Sequence, residues 1–471
     1  MEVRLYNTLT LRKDPFVPLV GNTARIYSCG PTVYSTASIG NLRAYIFVDV
    51  LKKTLEMAGI GVDDVMNITD VGHLVGDGDE GEDKVEVSAR KQGITPQDIA
   101  KRYADEFFSD CAKLNIRRPK TVAPATQYVP QMIEFIQGLE RKGYTYNTSD
   151  GVYFDASKFA DYFCLSRMNA EGNRAGARVE LGEKRNTNDF ALWKFVSPNT
   201  LQKWDSPWGV GCPGWHIECS AIALHHFGAT FDIHTGGIDH IPIHHTNEIA
   251  QTQALTGVKM CKSFIHNEFM MVDGGKMSKS LGNVYTLAQL EARGFAPAAF
   301  RYFMLQTHYR KVVNFTFDAL GSAATAYSNA VELAAKHFGA KVSTMPATVD
   351  RLRRKFRAAM ANDLNTPQAL AVLWEVLKMV PCKRLCALVM EFDEVLGLDI
   401  AKAIVGASIT RPQVPTNVPA EVETKARERM DAKGRKDWAT ADKLRAEIAE
   451  LGFEVVDIKD GYELRGRGQV S

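Results

Sequence analysis

Two short stretches hold side chains whose types and spacing could do chemistry. In the first, His244 and Glu248 stand four residues apart. On a helix that spacing puts both on one face, as in a pair of divalent-metal ligands. The order is His-x-x-x-Glu, and two donors do not close a site, so further ligands must come from elsewhere in the chain. In the second, Lys276-Met277-Ser278-Lys279-Ser280-Leu281-Gly282-Asn283, two lysines are interleaved with hydroxyls and follow Asp273-Gly274-Gly275. A loop of this kind can close on a polyphosphate and neutralise charge as it moves to the leaving group. The bare Lys-x-x-Lys pattern is more often a solvated basic turn; the full string is far more specific.

That string resembles the ATP-closing loop of class I aminoacyl-tRNA synthetases. The family's partner signature, His-Ile-Gly-His, is expected near the first strand, where Ser38-Ile39-Gly40-Asn41 precedes a helix. The glycine lets the adenine ring approach the backbone, and a helix N-terminus favours phosphate. Ser38 is the departure: a histidine there donates to the phosphate in the transition state, whereas serine is shorter and uncharged. The resemblance therefore implies slower adenylate formation or compensation by a neighbour. It makes Lys276, Lys279, Ser38 and Asn41 the catalytic candidates. Gly236-Gly237-Ile238-Asp239 is similar to the family's Gly-Gly-x-Asp, whose aspartate holds the ATP ribose. Gly40, Gly237, Asp239 and Lys279 are accordingly the nucleotide-binding candidates, with Mg²⁺ accompanying ATP.

Cys29 closes the first strand in Tyr27-Ser28-Cys29-Gly30-Pro31-Thr32-Val33-Tyr34, and Cys219 sits in Gly214-Trp215-His216-Ile217-Glu218-Cys219-Ser220. With His244 and Glu248 they make two thiolates, one imidazole and one carboxylate, a plausible tetrahedral zinc shell. All three segments resemble those of the cysteinyl-tRNA synthetase family, as do Asn67-Ile68-Thr69-Asp70, Arg301-Tyr302-Phe303 and the C-terminal helices. The chain is identified as a member of that family over nearly its whole length. Cysteine and serine have nearly the same shape, and shape alone separates such isosteres only about a hundredfold. A soft zinc ion prefers thiolate sulfur to a hydroxyl, so the metal is expected to select the substrate. A closed structural zinc site uses the same ligand types and stays open as an alternative. His216, His234 and His245 are expected to support the ligands, with His234 also a candidate substrate contact. Trp215 is either a wall of the substrate pocket or plain core. Thr69 and Asp70 either contact the amino acid or cap a turn. Cys212 is read as a bystander.

Positioning these groups needs an α/β domain. Residues 24–29 read as a strand ended by Gly30-Pro31, 44–58 as a helix and 62–68 as a second strand. That is a βαβ unit of a parallel, Rossmann-like sheet, with ligands at the carboxyl ends of the strands. Residues 97–114 read as an amphipathic helix, 147–155 as a hairpin, and 231–234 as the strand where the sheet resumes. The expected organisation is a catalytic domain in two halves, 1–120 and 205–318, split by a connective insertion, 121–204. A helical bundle follows over 319–407. Pro412, Pro415 and Pro419 stiffen a linker, 408–420. A small α+β module, 421–471, has helices over 421–432 and 437–451 and a hairpin around Lys459-Asp460-Gly461. It resembles the family's anticodon reader. Trp438 is expected to stack on a base, and Asp442 and Asp457 to accept hydrogen bonds from base edges, with Lys433 and Arg435 near phosphates. Trp438 as the module's core anchor is the alternative.

The 471 residues are 45% hydrophobic and 24% charged with a net charge of +2, an ordinary soluble composition of several domains. Such a balance neither demands nor excludes nucleic acid, because a charged groove can be local. No apolar run spans a bilayer, no apolar signal core opens the chain, and eight scattered cysteines show no disulfide rhythm, so a cytoplasmic protein with reduced thiols is expected; a monomer is expected as well, although no feature of the sequence shows the oligomeric state. The resemblance implies ATP-dependent ligation of L-cysteine to tRNA(Cys) through cysteinyl-adenylate. Two alternatives stay open: a ligase joining cysteine to an amino-sugar, whose relatives lack an anticodon module, and a catalytically weak paralogue that binds tRNA or cysteine.

Overall fold

The computed structural model describes residues 1–71, 84–167, 183–278, 281–341, 346–409, 419–435, 437–458 and 461–466. Lys279, the turn Lys459-Asp460 and residues 410–418 of the proline-bearing linker lie outside the described residues. The chain divides into two compact units, Met1–Ile400 and Ala401–Ser471.

Five strands form the central sheet of the first unit: β1 (Thr23–Ser28), β2 (Gly61–Ile68), β3 (Thr121–Pro124), β4 (Phe231–Gly237) and β5 (Cys261–Asn267), in the order β5-β4-β1-β2-β3. Every neighbouring pair is parallel. Ala24, Ile26 and Tyr27 on β1 are all fully buried, as expected of a parallel strand covered on both faces. Strand order reverses between β1 and β4, the switch point at which open α/β sheets bind ligands outside the carboxyl ends.

The βαβ unit forms as expected, but its helix, α1 (Ile39–Met57), starts five residues before 44. Ser38 and Asn41 form a reciprocal capping box, satisfying two orphan N–H groups and carrying the helix through Gly40. Two more helices bear on the site: α2 (Trp215–Phe227) and α3 (His244–Thr256), the latter closed by Gly257 at φ +78°. The expected hairpin is Thr145–Asn147 paired with Gly151–Phe154, extended by Phe190–Phe195 and Gly211–Pro213 into an antiparallel sheet. A small sheet not anticipated from sequence sets Met270–Val272 between Gly275–Lys276 and Val313–Phe315.

The helical run consists of Phe317–Phe338, Pro346–Ala361, Thr366–Leu377 and Lys383–Leu396. Arg301 is fully buried and donates to Asp49 of α1 at 2.6 Å and to the Leu396 carbonyl at 2.7 Å. Within the second unit, helices Ala420–Gly434 and Trp438–Glu450 precede the antiparallel pair Phe453–Ile458 and Gly461–Gly466. Its core is Val422, Ala426, Ile448 and Val455. Trp438 is 59% exposed and is not the anchor of that core. No helix among the described residues is long and apolar enough to cross a membrane.

Candidate metal and nucleotide site

Cys29 follows the last residue of β1, Cys219 lies in the first turns of α2, and His244 and Glu248 lie one turn apart at the start of α3. One donor atom from each comes within 4.8 Å of every other. The two sulfurs are 4.0 Å apart. Zinc–sulfur bonds of about 2.3 Å in a tetrahedron give an edge of about 3.8 Å. Glu248 Oε1 is buried without a hydrogen-bond donor aimed at it, although His244 Nε2 lies 2.7 Å away. Two sulfurs, an imidazole nitrogen and a carboxylate oxygen so close together are the donor types and spacing a tetrahedral cation takes, so the donor set fits zinc.

The electrostatics agree. Burial works against a charged His244, but Glu248 outweighs it and holds the imidazole up at about 10. Burial works against an ionised Glu248 as well, and His234 and His244 together hold its carboxyl well below the usual range. The hydrogen bond with Cys29 and burial push the Cys219 thiol up. Burial of these groups against one another favours a bound cation, which would displace the protons they hold without it.

The three histidines expected as supports lie around the cluster, and His234 and His245 also form an alternative donor set with Cys29 and Glu248. His216 Nδ1 and His244 Nδ1 are 2.9 Å apart, and Gln251 donates to the His216 carbonyl at 2.5 Å. His234 Nε2 lies 2.6 Å from Glu248 Oε2 and its Nδ1 lies 3.2 Å from the Tyr27 carbonyl. His245 Nε2 lies 3.5 Å from Cys29 Sγ, its Nδ1 is 2.7 Å from His266 Nε2, and His266 Nδ1 is 2.7 Å from Thr8 Oγ1. His266, Thr8 and Glu218 were not foreseen. The Glu218 side chain accepts from Thr69 Oγ1 at 2.8 Å, and burial pushes its carboxyl up to about 8. Trp215 is half-buried with its ring 4.6 Å from that of His244, so it flanks the donor cluster. Asp70 accepts from the Thr126 amide and hydroxyl at 2.9 and 2.7 Å, which ties it to the short helical turn Ala125–Tyr128. Cys212 is buried on the strand opposite Lys194 and, among the described residues, belongs neither to the set Cys29, Cys219, His244 and Glu248 nor to the alternative set Cys29, His234, His245 and Glu248.

Of the nucleotide candidates, Gly40, Gly237 and Asp239 fall among the described residues. Gly40 carries no side chain where Met277 packs: a Cβ there would stand 3.3 Å from the Met277 sulfur. The Ile39 amide donates to the Tyr285 carbonyl at 2.9 Å, tying the start of α1 to the segment after the lysine string. Asn283 accepts from the Ser278 amide at 2.8 Å and donates to the Lys276 carbonyl at 3.0 Å. Lys276 is exposed on the second strand of its hairpin, opposite Met271. Gly237 ends β4, and a Cβ on it would collide with the Asp239 carboxylate, which is exposed on the following turn. In the second unit, Trp438 and Asp442 are exposed on one face of their helix, and Asp457 stands on the strand opposite Tyr462.

Residues 15–325 match the family of tRNA synthetases class I (C) catalytic domains, and residues 355–381 match the DALR domain. Cysteine–tRNA ligase 1 of Burkholderia lata is 44% identical over 472 residues, covering 99% of this chain and 97% of that protein. The chain belongs to the cysteine–tRNA ligase family. A second cysteine–tRNA ligase, from Borrelia hermsii, is 39% identical and covers 99% of this chain and 100% of its own length. Solved synthetases of other specificities share the fold. Mycobacterium tuberculosis methionyl-tRNA synthetase with methionyl-adenylate superposes with a TM-score of 0.57 at 15% identity, covering 82% of this chain and 92% of that one. The Agrobacterium radiobacter K84 agnB2 LeuRS–tRNA–LeuAMS complex gives 0.58 at 13% identity, covering 83% and 86%.

Proposed function

We propose that this chain ligates L-cysteine to the 3′ end of tRNA(Cys) at the expense of ATP. The cysteine carboxylate attacks the α-phosphate in line, giving cysteinyl-adenylate and pyrophosphate; a terminal adenosine hydroxyl of the tRNA then takes the cysteinyl group and releases AMP. The observation that carries this reading is the meeting of two thiols, an imidazole and a carboxylate brought from three separate segments of the chain. Positioning and charge stabilisation do most of the work in such a reaction. Lys276 and Lys279 neutralise the phosphates, Mg²⁺ accompanies ATP, Ser38 and Asn41 stand at the helix terminus facing them, and Asp239 holds the ribose. Thr69 and His234 orient the amino acid, and Trp215 keeps water from one side of it. A zinc ion held by Cys29, Cys219, His244 and Glu248 supplies a soft acceptor that prefers thiolate to hydroxyl.

Residues 421–471 read the anticodon, with Trp438 stacking on a base and Asp442 and Asp457 on base edges. The enzyme acts as a cytoplasmic monomer. Two assays test the reading: pyrophosphate exchange with cysteine against serine, and charging of total tRNA with labelled cysteine. Charged tRNA supports the ligase. Adenylate formation without charging points instead to a small amine acceptor, and neither activity points to a binding protein.

A further inference from the structure

We propose that Arg43 is a positioning residue for adenylate formation, fixing the hairpin that carries Lys276 to the helix that starts at Ser38. The inference rests on the reading of those residues as the ones that handle ATP. Arg43 lies in the second turn of α1 and is 5% exposed. Its Nη1 donates to the Glu268 carbonyl at 2.7 Å and to that of Phe269; its Nη2 donates to the Lys311 carbonyl and, at 3.3 Å, to that of Tyr309.

These four acceptors fall on two stretches that lead directly into the parallel strands Met270–Val272 and Val313–Phe315. Met271 is in turn paired with Lys276. One strand and one tight turn therefore separate the guanidinium's grip from the lysine. Three of the four carbonyls already have another donor: Asn267 Nδ2 on Glu268, the Val313 amide on Phe269, and the Glu268 amide on Tyr309. For those three carbonyls Arg43 is thus not needed as a rescue from being unsatisfied. A planar fork that engages both stretches at once, anchored in α1, sets where the small sheet stands relative to the helix terminus.

Burial lowers the guanidinium's pKa to about 10, leaving it charged at neutral pH. Keeping a cation there is a poor way to fill space, since an apolar side chain of similar length packs without the desolvation cost. Lysine, a single point charge, cannot engage both stretches in the same geometry.

The experiment compares the full-length parent with Arg43→Lys and Arg43→Met in cysteine-dependent pyrophosphate exchange, alongside metal content and thermal midpoint. In Arg43→Lys the kcat is expected to fall about tenfold to a hundredfold, the range for misplacement of a catalytic group by about an ångström. The KM for cysteine and the metal content are expected to hold. A parallel measurement follows tryptic cleavage after Lys276 with and without ATP and Mg²⁺: protection by ATP is expected in the parent and expected to be lost in Arg43→Lys. Parental kcat and protection in Arg43→Lys overturn the proposal. So does a loss of kcat matched by equal losses of metal and cysteine binding, which marks a purely structural role. Arg43→Met is the harsher variant, and its misfolding leaves the lysine variant to decide. A parent inactive with cysteine refutes the functional reading, and the protease measurement still decides on Arg43.

Discussion

Removing one sulfur from the donor cluster is the most direct perturbation. In Cys219→Ala the remaining donors are Cys29, His244 and Glu248, held by β1 and α3 without α2. A four-ligand zinc site provides about 10–16 kcal/mol at neutral pH. An even share makes one donor worth about 2.5–4 kcal/mol, or roughly 10²–10³-fold in affinity. A water filling the vacated position returns part of this, so about a hundredfold is the expected loss. The assay is competition for zinc with a chromophoric chelator, with metal per chain measured after dialysis. Cys212→Ser is the control: the residue is also a buried cysteine, 6% exposed, but lies in neither donor set. The reasoning is refuted if Cys219→Ala binds zinc within about threefold of the parent, a difference under 1 kcal/mol, or if Cys212→Ser loses as much.

Other outcomes follow from single contacts. Ser38→His should raise the rate of pyrophosphate exchange while lowering the melting temperature, because losing the capping box with Asn41 costs about 1 kcal/mol; no rise in rate refutes the reading of that position. Burial, partly offset by Lys113, pushes the Asp110 carboxyl up to about 6. The folded chain therefore holds that proton between about pH 4 and 6 where the unfolded chain has lost it, and stability falls as pH rises through that window. Asp110→Asn should stabilise by at most about 3 kcal/mol above pH 6 and by nothing below pH 4; a pH-independent difference in thermal midpoint refutes this. Trp438→Ala should raise the KM for tRNA roughly fivefold to a hundredfold, the loss of about 1–3 kcal/mol of stacking. An unchanged KM removes Trp438 from recognition.

Periodicity and breakers made much of the scaffold legible. Residues 24–29 and 62–68 carry the apolar runs of buried parallel strands, and both form within a residue or two of their expected bounds. The early start of α1 was hidden because Gly40 and Asn41 read as loop residues; a reciprocal side-chain cap overrides that propensity. The small sheet escaped notice because Gly275–Lys276 is only two residues long and carries no alternation. The donor cluster has no local signature. Cys29 and Cys219 are 190 residues apart, and only the resemblance of their flanking segments connected them. His266 was missed because strand alternation says which face a residue takes, not that another imidazole stands behind it. Trp438 was ambiguous because a lone tryptophan in a small module fits either a core or a surface role; 59% exposure leaves the surface.

The origin of the donors in three separate segments has a thermodynamic corollary. Only the folded chain holds Cys29, Cys219, His244 and Glu248 in one place, so a cation bound there favours the native state. At a thousandfold excess over its dissociation constant it lowers the free energy of that state by about 4 kcal/mol. The whole of this gain goes to the unit built on the parallel sheet, since residues 401–471 contribute no donor. Metal starvation should accordingly loosen the unit on which ATP is handled as well as weaken the choice of amino acid.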